Sequence, residues 1–191
     1  INAWKFINYN SGGAGLDTQY KVANKQVAHV RSNSPLRQGS YRGLAATANV
    51  FARECHMNDL AHLIKMDPLE FRIKNLDDNR FIDVLKTVAK NFGWTNSKTA
   101  GHGFGIAGGF EKGGYVGTCA EVKINGDKEV KVVRIMQSFE CGAIVNPHHL
   151  ENQVMGSIVQ ALGGALFEAV VFANGKIINA ALSAYRVPRF S

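Results

Sequence analysis

An α+β fold is what the 191 residues predict, and three observations predict it. Apolar spacing of three and four runs from Thr47 to Asn91, alternation by two takes over between Tyr115 and Phe139, and one further helix is followed by a last hairpin. The expected layout is a helical first half, then strand pairs flanking one glycine-bearing helix.

Residues 1–31 mix short extended runs, such as Ala3 to Tyr9, with a Ser11-Gly12-Gly13-Ala14-Gly15 turn cluster, and read as strands and loops. A loop from Ser34 to Gly43 carries charge and glycine into the next element, and is the first candidate site. From Thr47 to Lys65, Ala48, Phe51, Ala52, Cys55, Leu60, Leu63 and Ile64 recur at helical spacing, which predicts an amphipathic helix with these residues inward. Asp67-Pro68 pairs an N-cap with proline at the first helical position, opening a short helix from Leu69 to Asn75 with Glu70 near its start. A third helix runs from about Arg80 to Asn91 on Phe81, Ile82, Leu85, Val88, Ala89 and Phe92, and Gly93 ends it.

After a polar link at Thr95 to Ala100, the runs Tyr115 to Ile124 and Val130 to Phe139 alternate around Asn125-Gly126, a strong hairpin signal. Asn146-Pro147 repeats the cap-then-proline opening. Leu150, Val154, Ile158, Leu162 and Ala165 then mark one face of a helix reaching about Glu168. A last hairpin turns at Asn174-Gly175.

Composition narrows the function classes. A 46% hydrophobic content is ample for a core, and no window approaches the ~18 apolar residues that span a membrane. The net charge of +7 is front-loaded, with six Lys/Arg and one acid in residues 1–42. Such an excess suits an anionic ligand, a contact with another chain or scattered solvated lysines. Nucleic-acid binding would need a basic stripe with interleaved aromatics, and none is present. Cys55, Cys119 and Cys141 stand far apart without a CxxC pair, so neither a disulfide framework nor an iron–sulfur or zinc site is indicated. The His148-His149 doublet cannot face one metal from a helix. The chain opens at Ile1 without Met or leader and closes just after an extended run. Those ends read as a fragment's, and the compartment is not legible because any signal would lie upstream.

Gly103-Phe-Gly105-Ile-Ala-Gly108 has the GxGxxG spelling of a dinucleotide fold. That motif needs a strand before it and a helix N-terminus after it. Here a polar link precedes and an alternating strand follows, so the expectation is a glycine-rich strand or turn that lets another backbone or a flat ligand come close.

Four segments in order carry a resemblance. They are Pro35-Leu36-Arg37-Gln38-Gly39-Ser40-Tyr41-Arg42-Gly43 with Phe51-Ala52-Arg53-Glu54 and Asp59-Leu60-Ala61; Asp67-Pro68-Leu69-Glu70-Phe71-Arg72 with Asn75-Leu76; Tyr115-Val116 with Ala120-Glu121-Val122; and Cys141-Gly142 with Val145-Asn146-Pro147, Gln153-Val154 and Gly156. Together they resemble the molybdopterin-binding large or beta subunit of the isoquinoline 1-oxidoreductase, aldehyde oxidase and xanthine dehydrogenase family, and cover the chain from Ser34 onward. The resemblance makes residues 1–97 the loop-and-helix part of the molybdenum-cofactor-binding region. Residues 98–191 become its α+β part, cut at the C-terminus.

What the resemblance implies is hydroxylation of an N-heterocycle or aldehyde with oxygen from water. The cofactor would be a molybdenum pterin of the cytosine dinucleotide type, and electrons would pass to an iron–sulfur subunit. Arg42 and Gly43 are implied as cofactor contacts in a loop whose backbone approaches the metal, and Gln153 with Gly156 as contacts of the pterin. The Tyr41–Gly43 turn and the Gln153 helix would form two sides of one slot. Leu44 stands in the substrate pocket where xanthine-type relatives carry an aromatic residue, which disfavours a flat purine. Arg42 equally suits pairing with a nearby carboxylate, and Gly156 equally suits close helix packing. No catalytic residue is assigned, because the family's glutamate base belongs to a Gly-Glu segment beyond Ser191, and no metal ligand is assigned either. The chain by itself is therefore expected to be inactive and to hold no molybdenum. The competing expectation is an inactive subunit-docking module without cofactor chemistry.

Overall fold

The computed structural model describes residues 1–34, 42–94, 99–126 and 129–189. They form two compact units, Ile1–Gly142 and Ala143–Ser191. The architecture is α+β.

The first unit opens with β1 (Ala3–Tyr9) and β2 (Asn24–Val30), paired in parallel from Ala3 opposite Asn24 to Tyr9 opposite Val30. Parallel neighbours need a crossover of about a dozen residues, and the stretch holding the Ser11–Gly15 glycine cluster supplies it. Three helices follow, α1 (Ala46–Leu63), α2 (Pro68–Lys74) and α3 (Asn79–Phe92). Then β3 (His102–Glu111), β4 (Gly114–Ile124) and β5 (Val130–Glu140) form one antiparallel sheet in the order β3-β4-β5.

Local chemistry sets several boundaries as expected. Asp67 Oδ1 accepts from Leu69 N and Glu70 N at 2.8 and 3.1 Å, with Pro68 in the first turn of α2. Asp78 Oδ1 caps α3 through Arg80 N at 2.9 Å, and Gly93 ends it in the left-handed conformation at φ 72. The inner face of α3, Phe81, Val84, Leu85, Val88, Ala89 and Phe92, is buried with Ile106, Tyr115 and Cys119 of the sheet.

Close approach of α3 explains the glycine-rich strand. A Cβ at Gly108 would sit 2.6 Å from Phe81 Cζ, and one at Gly117 would sit 3.0 Å from Val88 Cγ1 and 3.1 Å from the Val84 carbonyl. Gly103 to Gly108 lies inside β3, and a turn at Lys112-Gly113 leads into β4, so no helix N-terminus follows the motif. Gly108 and Gly117 serve helix-on-sheet packing.

One expectation needs correction. The face of α1 is inverted: its buried residues are Asn49, Arg53, Glu54, Met57 and Ala61, while Phe51 is 71% and Leu63 79% exposed. The polar residues turn inward because partners far away in sequence complete their hydrogen bonds. The hairpin around Asn125-Gly126 has the expected strand ends, with Ile124 paired to Val130, and Glu129 N donates to Asn125 Oδ1 at 2.9 Å. The asparagine side chain here closes a five-residue loop.

The second unit holds α4 (Pro147–Phe167), β6 (Phe172–Ala173) and β7 (Lys176–Ile177). Asn146 Oδ1 caps α4 by accepting from His149 N at 3.0 Å. Leu150, Val154, Ile158 and Leu162 are half-buried as one face, whereas Ala165 lies off it and is exposed. Gly163 is buried, and a Cβ there would lie 3.2 Å from Pro188 Cδ. Asn174 and Gly175 both take positive φ, 50 and 73, between Ala173 and Lys176, the mirror-image turn that suits the twist of a hairpin. Among the described residues no helix is long and apolar enough to cross a membrane.

Candidate functional site

Arg42, Gly43 and Leu44 form the approach to α1, whose N-cap Ala45 offers no side-chain hydrogen bond. Gly43 has φ 79 and Leu44 has φ 53, two successive left-handed residues. Glycine takes this region without strain, but a leucine there costs on the order of 1–2 kcal/mol. Leu44 is nonetheless 53% exposed, so burial of its side chain does not offset the strain. Thr47 Oγ1 donates to the Arg42 carbonyl at 3.2 Å, and a Cβ at Gly43 would meet Thr47 Oγ1 at 2.6 Å. Glycine is therefore required twice over at position 43. The preceding motif residues, Pro35 to Tyr41, lie outside the described residues.

Behind α1 lies a buried charge cluster that the sequence reading missed. Glu54 Oε2 accepts from Arg72 Nε at 2.9 Å, from the Tyr20 hydroxyl at 3.0 Å and from Gly108 N at 3.0 Å. Its other oxygen faces Arg53 Nε at 3.2 Å. Arg53 Nη1 also donates to the carbonyls of Gly15 and Asp17 at 3.0 and 2.9 Å. Burial, then the Glu54 charge, pushes the Tyr20 phenol well above its ordinary range. The cluster ties α1, α2, β3 and the 15–20 loop to one point. The signal available in the sequence was the four-residue spacing of Asn49, Arg53 and Met57.

The front-loaded positive charge is partly consumed. Lys25 pairs with Asp17 at 2.7 Å and Lys21 with Asp77 at 2.8 Å, both on the surface. Lys25 holds the Asp17 carboxyl below the usual carboxylate range. Burial pushes the Cys119 thiol up to about 12, so it is a packing residue and not a nucleophile.

Gln153 and Gly156 stand three residues apart on α4 of the second unit and are exposed. That spacing puts them on one helix face. A Cβ at Gly156 would meet nothing within 4 Å, so among the described residues no close packing requires the glycine. His148 and His149, in the first turn of the same helix, have ring centroids 6.1 Å apart. Among the described residues no group of three His, Cys, Asp or Glu side chains is placed to hold a metal ion.

The arrangement offers a cation beside bare, left-handed backbone in the first unit, and an amide beside bare helix in the second. Residues 40–191 match the family model of the molybdopterin cofactor-binding domain. The chain is 28% identical over 180 residues to a nicotinate dehydrogenase subunit of Pseudomonas putida, covering 84% of this chain and 15% of that protein. It is 28% identical over 156 residues to the beta subunit of isoquinoline 1-oxidoreductase from Brevundimonas diminuta, covering 78% of this chain and 20% of that protein. A membrane-bound pyrroloquinoline-quinone aldehyde dehydrogenase of Gluconacetobacter polyoxogenes is 22% identical over 196 residues, covering 90% of this chain and 25% of that protein. The chain thus spans between 15% and 25% of the length of these curated relatives. No solved structure matches it. With about four-fifths of its residues inside the matched region, the chain belongs to the molybdopterin cofactor-binding domain family.

Proposed function

We propose that the chain is part of the cofactor-binding region of a molybdenum hydroxylase that oxidises an N-heterocycle or an aldehyde with oxygen from water. The observation that carries the reading is the exposed Arg42–Gly43–Leu44 loop, a strained stretch of bare backbone inside the matched domain. Strain of this kind clusters at binding and catalytic sites. Two relatives named for nitrogen heterocycles, nicotinate and isoquinoline, favour an N-heterocycle.

The residues present suit a molybdenum pterin dinucleotide. Arg42 supplies fixed positive charge for an anionic group, and Gly43 exposes backbone N–H to it without a Cβ in the way. The Gln153 amide can both donate to and accept from a pterin edge. Open space at Gly156, which a side chain would fill, leaves room beside that amide. When bound, the group supplies the oxidation itself, activating water and taking up two electrons. The residues of this chain would hold and orient it. Leu44 contributes an aliphatic contact to the substrate pocket. The dinucleotide would be of the cytosine type, and an iron–sulfur subunit would take up the electrons. Residues 1–97 and 98–191 serve as two parts of one cofactor-binding region.

The activity belongs to a longer polypeptide, as the short share of each relative suggests, and the 191 residues alone hold no molybdenum. Dye reduction by the holoenzyme with a panel of N-heterocycles and aldehydes tests the reading. Turnover of at least one N-heterocycle, lost when molybdenum is removed, is the expected result. Metal-independent turnover, or stoichiometric molybdenum on the isolated chain, contradicts it.

A further inference from the structure

We propose that Asn49 is a positioning residue for the Arg42–Gly43–Leu44 loop, acting through the Ser11–Gly15 glycine turn. The inference rests on the reading of that loop as a cofactor contact.

Asn49, in the opening part of α1, is 1% exposed, and its side chain is satisfied at both ends. Nδ2 donates to the Gly12 carbonyl at 3.1 Å and the Ala14 carbonyl at 2.9 Å, while Oδ1 accepts from Asn8 Nδ2 at 2.5 Å. A buried amide is costly unless paired in this way. The bonds reach across 37, 35 and 41 residues, so they fix tertiary placement and not the helix itself. Asn8 is held in turn by the Ser11 hydroxyl and by His29 Nδ1 at 3.3 Å.

The turn so fixed lies directly against the residues that leave the candidate loop. A Cβ at Gly12 would be 3.3 Å from Ala45 Cβ, and one at Gly15 would be 3.0 Å from Ala46 Cα. Ala45 follows Leu44 immediately. From the other side, Thr47 Oγ1 holds the Arg42 carbonyl. The loop is therefore held at its two ends, Arg42 by Thr47 and the Ala45-Ala46 step after Leu44 by the glycine turn. Such a clamp is what two successive left-handed residues need, because without it Leu44 would relax to an extended or right-handed conformation. Asn49 holds the Gly12 and Ala14 carbonyls of the turn, while Arg53 holds that of Gly15.

The experiment measures molybdenum per protein in the purified holoenzyme after gel filtration, beside thermal stability. Asn49→Ala and, independently, Gly12→Ala are compared with Gly43→Val and with Val88→Ala, a core truncation on α3 distant in sequence from the loop. The expected result is about a tenfold lower molybdenum content for Asn49→Ala and Gly12→Ala, with Val88→Ala retaining the metal at a similar loss of thermal stability. Should Asn49→Ala fail to fold, Gly12→Ala decides the matter alone. Wild-type retention in the deciding variant while Gly43→Val loses the metal overturns the positioning role and leaves the loop reading standing. Equal loss in Val88→Ala also overturns it, since stability alone would then explain the effect. Wild-type retention in Gly43→Val removes the loop reading itself.

Discussion

Arg72 Nε lies 2.9 Å from Glu54 Oε2 with both side chains sealed from water, and Arg72 Nη2 donates to the Glu54 main-chain carbonyl at 3.0 Å. One residue of α2 thereby grips both the side chain and the backbone of α1. The same carboxylate oxygen accepts from Gly108 N of β3, so helices and sheet meet on one charge.

Removing that charge leaves two guanidiniums buried without a counter-ion. Glu54→Gln is expected to cost about 3–5 kcal/mol in urea denaturation. Lys21→Ala, which breaks only the surface pair with Asp77, is expected to cost less than about 1 kcal/mol. Similar values for the two would contradict the assignment of the buried cluster as the centre of the unit.

The glycines of the GxGxxG spelling separate by environment. A Cβ at Gly108 meets Phe81 at 2.6 and 2.7 Å, whereas one at Gly105 meets nothing within 4 Å. Gly108→Ala is expected to lose about 1–3 kcal/mol from overpacking, and Gly105→Ala to stay within about 0.5 kcal/mol of wild type. Thermal melts of the two variants check the contrast.

Acid should weaken the β3-β4-β5 sheet through Glu121. Arg134, whose Nε lies 2.6 Å from Glu121 Oε2, holds the carboxyl below its ordinary value, with His102 at 2.7 Å adding to the effect. A depressed carboxyl contributes stability that is fully present above its unfolded value and is lost as pH falls through the folded one. Stability should therefore decline below about pH 4.5. Arg134→Met should flatten that decline in denaturation midpoints taken from pH 6 down to pH 2. An unchanged slope would count against the pair.

Asp67 does two jobs with its two oxygens. Oδ1 caps α2, and Oδ2 accepts from the Trp94 indole at 2.9 Å. Asp67→Ala should cost about 1–2 kcal/mol, the upper part of the range for a lost cap. Asp67→Ser, which keeps a capping oxygen, should recover part of the loss in the same chemical melt.

Leu44 should trade stability for function. Leu44→Gly relieves a left-handed leucine and is expected to raise stability by up to about 1–2 kcal/mol. The same change should alter the ratio of kcat/KM values among N-heterocycles in the holoenzyme. A stabilised variant with unaltered selectivity would remove Leu44 from the substrate pocket.

Where sequence chemistry is local, the fold was legible in it. Asp67-Pro68, Gly93 and Asn174-Gly175 mark their boundaries because cap, left-handed stop and mirror-image turn are properties of a few adjacent residues. The inward face of α1 was not legible. Burial of Arg53 and Glu54 depends on Tyr20, Arg72 and Gly108, none of them near in sequence, and helical periodicity by itself favoured Phe51 and Leu63. In the candidate site, Gly43 was expected to be bare backbone. The left-handed φ of Leu44 was not foreseen, because leucine seldom adopts it.

The most direct test is the location of molybdenum by anomalous diffraction in crystals of the holoenzyme. The account predicts a pterin dinucleotide whose density touches the Gly43 backbone and the Arg42 side chain. Molybdenum density with residues 42–44 out of contact with any part of the cofactor would contradict it.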